Sequence, residues 1–189
     1  MAILKALRLR RVDLAPALAL CLWFGHNGAT PAQTPLAESQ VKAAFILNFA
    51  RLVEWPERVF LSREAPVTIC LLGRDTFGDA LSALESRQVQ GRPIKVRRNV
   101  THDEARTCQV VFIAEADERH SGAAVRHLNK LPILTIGDID GFIDTGGAIG
   151  LVTSDNRLQF EINRAALDQA QLKASAQLLK LARNLRDKK

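Results

Sequence analysis

Between Glu38 and Trp55, apolar side chains recur at helical spacing: Val41, Ala44, Phe45, Leu52 and Trp55, with Lys42 and Arg51 left for water. That stripe predicts an amphipathic helix, and Pro56 ends it, because proline disfavours helical geometry in the residue before it. Asn48 falls within the stripe and is expected to hydrogen-bond to backbone. Pro66–Leu72 (PVTICLL) is a nearly continuous apolar run closed by Gly73, the pattern of a central strand covered on both faces. Asp75 or Thr76 can cap a helix over Phe77–Leu84, and Gly91-Arg92-Pro93 marks a turn before an alternating strand, Ile94–Val100. Thr101 can cap a short helix over His102–Arg106. Cys108–Ala114 (CQVVFIA) reads as a buried strand, Glu118–Asn129 as a helix, and Pro132–Ile136 (PILTI) as another buried strand.

The repeated strand–helix order predicts one α/β domain with a mainly parallel central sheet flanked by helices. The C-terminal third departs from that rhythm. A glycine-rich loop, Gly141–Gly147, leads into Ala148–Thr153 and Leu158–Ile162, with Asp155-Asn156 between them as turn material for a hairpin. Ala165–Leu185 then reads as a long terminal helix, with a break near Gln171. Gly146-Gly147 serves either backbone freedom in the turn or a close approach by another backbone; spacing does not separate these.

Ahead of this domain, Lys5, Arg8, Arg10 and Arg11 precede a short apolar run, Leu14–Phe24, and then small residues up to Ala32. That order is a secretory signal peptide over residues 1–32, cleaved after Ala29 or Ala32. The run is too short for a spanning helix, which needs about 20 apolar residues, and the bulky Leu20 argues against lipidation of Cys21. With four basic residues and Asp13 removed, the charge falls from +6 to about +3. The remaining cations are mixed with acids, and no aromatic residue interleaves with the densest group, Arg92, Lys95, Arg97 and Arg98. A nucleic-acid platform is therefore not indicated. The mature chain, residues 33–189, is long enough for one domain with a proper core. It keeps two cysteines, Cys70 and Cys108. Export favours their pairing as a disulfide; two buried free thiols are the alternative, and no His or Cys lies at metal-ligand spacing from either.

Catalytic motifs are missing from the sequence. Gly73-Arg74-Asp75-Thr76-Phe77-Gly78 follows a strand but places bulky residues where a dinucleotide fingerprint needs glycine. His120 and His127 lie seven positions apart on one helix, about 10 Å along its axis, too far to share a metal; with His102 they are expected to be exposed. Asp138, Asp140 and Asp144 follow a strand C-terminus, where open parallel sheets bind ligands, so a divalent cation or acid–base work is conceivable there, though Asp beside Gly is ordinary turn composition. No G-x-S-x-G elbow surrounds Ser121 or Ser154. No enzyme and no cofactor is indicated. A small-ligand sensor would instead use the strand ends around Gly73, Asp75 and Asp138.

Several segments together resemble the YfiR family of periplasmic regulators. They are VKAAFILNFARLVEWP (Val41–Pro56), ICLLGRDTFG (Ile69–Gly78), CQVVFI (Cys108–Ile113), PILTIGD (Pro132–Asp138), GGAI (Gly146–Ile149), LQFEIN (Leu158–Asn163) and SAQLLKLA (Ser175–Ala182). The resemblance implies a periplasmic α/β domain that restrains an inner-membrane diguanylate cyclase or another sensor protein, and that an outer-membrane lipoprotein can sequester; a homodimer is also compatible. It implies a disulfide between Cys70 and Cys108. The second cysteine pair of some members has no counterpart, since no cysteine follows Cys108. A contact surface is expected between Phe142 and Asn163, where the hairpin would present an open edge, with Leu151, Arg157, Phe160 and Glu161 as candidate contacts.

Overall fold

The computed structural model describes residues 35–114 and 118–187; the proposed signal segment lies outside them. The first helix, α1 (Pro35–Leu52), runs into a two-residue strand, β1 (Val53–Glu54). Its buried face is Ala43, Ile46, Phe49, Ala50 and then Val53, whereas Ala44 and Asn48 are exposed. The stripe is thus rotated from the one expected: Ile46 and Phe49 turn to the sheet, and Asn48 sits on the outer face. Trp55 is buried beyond the helix, and its indole N–H donates to the Gln109 carbonyl at 3.2 Å.

From there the chain alternates. β2 (Val67–Gly73), α2 (Asp79–Ser82), β3 (Gln88–Val89), β4 (Arg92–Arg97), α3 (His102–Ala105), β5 (Val110–Ala114), α4 (Glu118–Leu128) and β6 (Leu134–Gly137) follow in order. Thr101 caps α3 through a reciprocal box with Glu104, as its sequence position suggests. β7 (Ile149–Ser154) and β8 (Arg157–Asn163) form the expected hairpin. Asp155 and Asn156 both take positive φ, 50° and 59°, the pair of left-handed residues that a two-residue hairpin turn requires.

Eight strands make one sheet in the order β10-β8-β7-β6-β5-β2-β4-β3, where β10 is Asn184–Arg186. β4, β2, β5, β6 and β7 run parallel to one another, whereas β8 turns back antiparallel to β7 and β3 pairs antiparallel with β4. The period-two alternation of β2 divides the core. Ile69 and Leu71 join the α1 side with Phe49, Phe112 and Ile149, while Cys70 and Leu72 join the α3–α4 side with Val111, Ala124 and Leu128. Both faces are covered, which is why the central strands read as continuous apolar runs.

The terminal helical stretch is two short helices, α5 (Arg164–Gln169) and α6 (Ala176–Leu181), separated by β9 (Lys173–Ala174). The break falls at Gln171, whose φ of 58° is left-handed and incompatible with a continuing helix. β9 pairs antiparallel with β1, tying the end of α1 to the C-terminal region. Ala32–Lys189 make one compact unit. Gly146 has φ +100°, so it supplies turn freedom, whereas Gly147 makes room for a ring: a Cβ there would overlap Phe142. The close approach comes from a side chain. Cys70 and Cys108 are joined as a disulfide, Cα atoms 6.1 Å apart, between β2 and the segment entering β5.

Candidate functional site

The C-terminal ends of the parallel strands are occupied by the protein's own salt bridges. Asp75, after β2, accepts hydrogen bonds from the Phe77 N–H (2.8 Å) and the Gly78 N–H (3.3 Å) and pairs with Arg98. Partial burial works against its charge, but those donors and the Arg98 guanidinium outweigh it and hold the carboxyl below its usual range. Asp138, after β6, accepts from Lys42 of α1 at 2.6 Å, and Lys42 also reaches Glu38 at 2.7 Å. Burial disfavours the Lys42 ammonium, yet the two carboxylates outweigh it and raise its pKa. Gly73 lies in β2 at the lip of this end, half-buried. Asp75 and Asp138 each have a cation within the fold, so as a ligand site this end would have to break existing pairs.

The three aspartates considered for a cation are not gathered. Asp138 turns to Lys42, Asp144 pairs with Arg186, and Asp140 is exposed. Among the described residues no group of three or more His, Cys, Asp or Glu is placed to hold a metal ion. The histidines differ from expectation in one respect: α3 and α4 pack so that His102 and His127 lie 5.9 Å apart, ring to ring, with Asp103 at 3.2 Å from His127 Nε2. No sequence spacing announces that pair, because it depends on the packing of two separate helices.

At the hairpin the expectation needs correction. Leu151 and Phe160 are buried. Phe160 packs edge-on against Phe49 (4.9 Å) and Phe45 (5.8 Å), so these two residues are the floor that α1 rests on. Arg157 is exposed and Glu161 half-buried. Nor is β8 an open edge, because β10 lies along it in parallel, Asn184 opposite Glu161 through Arg186 opposite Asn163. A groove of about 420 Å³ adjoins this border, lined by Phe45, Leu158, Gln159, Phe160, Leu181 and Arg183. Leu181 is 62% and Leu185 39% exposed, two of the three large apolar side chains left open among the described residues. A terminal helix was expected over this segment, which hid both the strand and the groove.

The fold is thus a mostly parallel α/β sheet, closed at its strand ends by its own ion pairs and bordered by an apolar groove. The chain belongs to the YfiR/HmsC-like family, whose model matches residues 39–183. At family level this is a group of periplasmic regulators of diguanylate cyclase signalling rather than enzymes. Among solved structures, a conserved domain protein from Vibrio cholerae O1 biovar El Tor strain N16961 shares 9% identity with a TM-score of 0.54, over 78% of this chain and 60% of that one. That likeness is one of fold. The ABC domain in complex with L-Trp from Streptococcus pneumonia gives 10% identity and a TM-score of 0.49 over the same shares, too slight to carry an argument. The chain spans about three-fifths of the length of both. Among the described residues, no helix is long and apolar enough to cross a membrane.

Proposed function

We propose that residues 1–32 direct export and are removed, and that the domain over residues 33–189 binds and restrains the periplasmic region of an inner-membrane sensor enzyme, a diguanylate cyclase. An outer-membrane lipoprotein sequesters it and relieves the restraint. The observation that carries this reading is the family match over residues 39–183, which spans the fold from α1 to the groove-lining Arg183. A regulator of this kind needs no catalytic groups, only different affinities for two states of its partner. Shifting a two-state partner tenfold takes about 1.4 kcal/mol of differential binding, well within the reach of a modest surface. Arg157 and Glu161 remain the contact candidates of the hairpin, as side chains that reach solvent.

The test is a pull-down from detergent-solubilised membranes of cells expressing the neighbouring membrane proteins, with the exported, oxidised protein as bait and a reduced control. Specific recovery of a membrane cyclase or sensor kinase is expected, with less after reduction. Recovery of no sensor enzyme under either condition overturns the reading and turns attention to a small-ligand role.

A further inference from the structure

The sheet ends on β10, and that end is open. The Arg183 N–H donates to the Phe160 carbonyl at 2.9 Å. In the parallel register of β10 on β8, with Glu161 and Asn163 turned to β7, the N–H and C=O of Asn184 and Arg186 face β8, so those of Leu185 between them point outward. All three β10 residues are exposed, and no further strand pairs with them among the described residues. An unpaired edge of this kind is a template for another chain.

Two further features lie along the same border. Leu185 is in register with Ile162, on the face shared by Leu158 and Phe160, so it continues the apolar groove that Phe45 and Leu181 line. The border is also basic. Lys180 and Arg183 are exposed and form no ion pair among the described residues, whereas Arg186 is paired with Asp144 and Asp187 with Arg164. A second copy set against this edge would oppose Lys180, Arg183 and Arg186 to the same cations, which like-charge repulsion disfavours.

We propose that β10 and the adjoining groove receive an extended segment of a partner protein as an added strand, with alternate apolar side chains in the groove and carboxylates toward Lys180 and Arg183. Main-chain bonds to Leu185 supply affinity, and the groove and cations supply selectivity. The inference rests on the regulatory reading only for which protein brings the segment.

The experiment uses the exported, oxidised chain and two capped ten-residue probe peptides, one alternating valine with glutamate and one alternating valine with lysine. Amide exchange at Leu185 is followed by NMR, with light scattering for oligomeric state. The free protein should be monomeric, with that amide exchanging freely, and the glutamate peptide should slow it at least about tenfold, binding about tenfold more tightly than the lysine peptide. Arg183→Glu should reverse that preference. Leu185→Pro removes the outward N–H while sparing the bonds to β8, a place where an edge strand tolerates proline, and should abolish peptide binding without lowering the melting temperature appreciably. A dimer whose edge amide is protected without peptide, or no slowing by the glutamate peptide at millimolar concentration, overturns the proposal. The membrane pull-down separates the two readings. If wild type and Leu185→Pro recover the same sensor enzyme equally, the edge proposal fails and the regulatory reading stands. If wild type recovers none while the peptide still protects the edge, the reverse holds.

Discussion

Asp75 organises the turn after β2 with one carboxylate, holding the Phe77 and Gly78 amides and the Arg98 guanidinium, whose second nitrogen reaches the Gly78 carbonyl at 2.6 Å and Ser82 Oγ at 2.9 Å. Its pKa is lowered on folding, so its stabilisation is fully present above the unfolded value of about 3.8 and is lost as pH falls through the lower folded value. Asp75→Asn is therefore expected to cost about 0.5–1 kcal/mol at neutral pH, a small figure because solvent screens the pair. The difference from wild type should shrink as pH falls below 3.8 and through the folded value; urea unfolding at neutral and at acid pH checks this. Lys42 has the opposite sign: its raised pKa keeps its contribution intact below 10.5 and gives it up only as pH rises through the folded value. Local chemistry of this kind is legible in sequence where partners are near. The Thr101–Glu104 box spans three positions and could be read directly. The Lys42–Asp138 pair joins residues 96 apart, and no pattern along the chain pointed to it.

Elements were legible in proportion to their length and burial. The continuous apolar runs of β2, β5 and β6 announced covered strands, and the Asp155-Asn156 turn announced the hairpin. β1, β9 and β10 have two or three residues each, too few for a period to show. In the same segment Leu167, Leu172 and Leu179 mimic a helical stripe, although Gln171 reverses the backbone between them. Two of the four expected contact residues, Leu151 and Phe160, are buried for a related reason: nothing along the chain tells that α1 covers their face of the hairpin. The cysteines were better placed, because export and an even count suffice to suggest a bond. That bond ties β2 to the entry of β5 across a sequence separation of 38, for which the chain-entropy model gives about 4 kcal/mol. Paired Cys70→Ala and Cys108→Ala substitutions are expected to lower unfolding free energy by about 2–4 kcal/mol. Chemical denaturation of the oxidised protein and the double variant measures it.

At the scale of the whole molecule, the first helix is held by the last elements. Val53 pairs with Ala174, the Ser175 N–H donates to the Leu52 carbonyl at 2.8 Å, and Leu178 is buried in the same core as Ile46 and Phe49. A chain ending at Gln171 is thus expected to lose cooperative thermal unfolding, whereas one ending at Ala182, which lacks only β10, should retain it. Circular dichroism melts of the two truncations distinguish them, and a cooperative melt of the shorter chain would show that α1 needs no C-terminal partner.

That closure of the two ends has a consequence in time. A ribosome delivers α1 first, and the residues that bury Ile46 and Phe49 are not complete until Leu178 has emerged. Contacts so distant in sequence form late and slowly, so through most of its synthesis the chain remains an unfinished, pliable thread. For a chain exported as proposed above, this is an advantage: a fold that closes late stays slack enough to thread a narrow translocation channel.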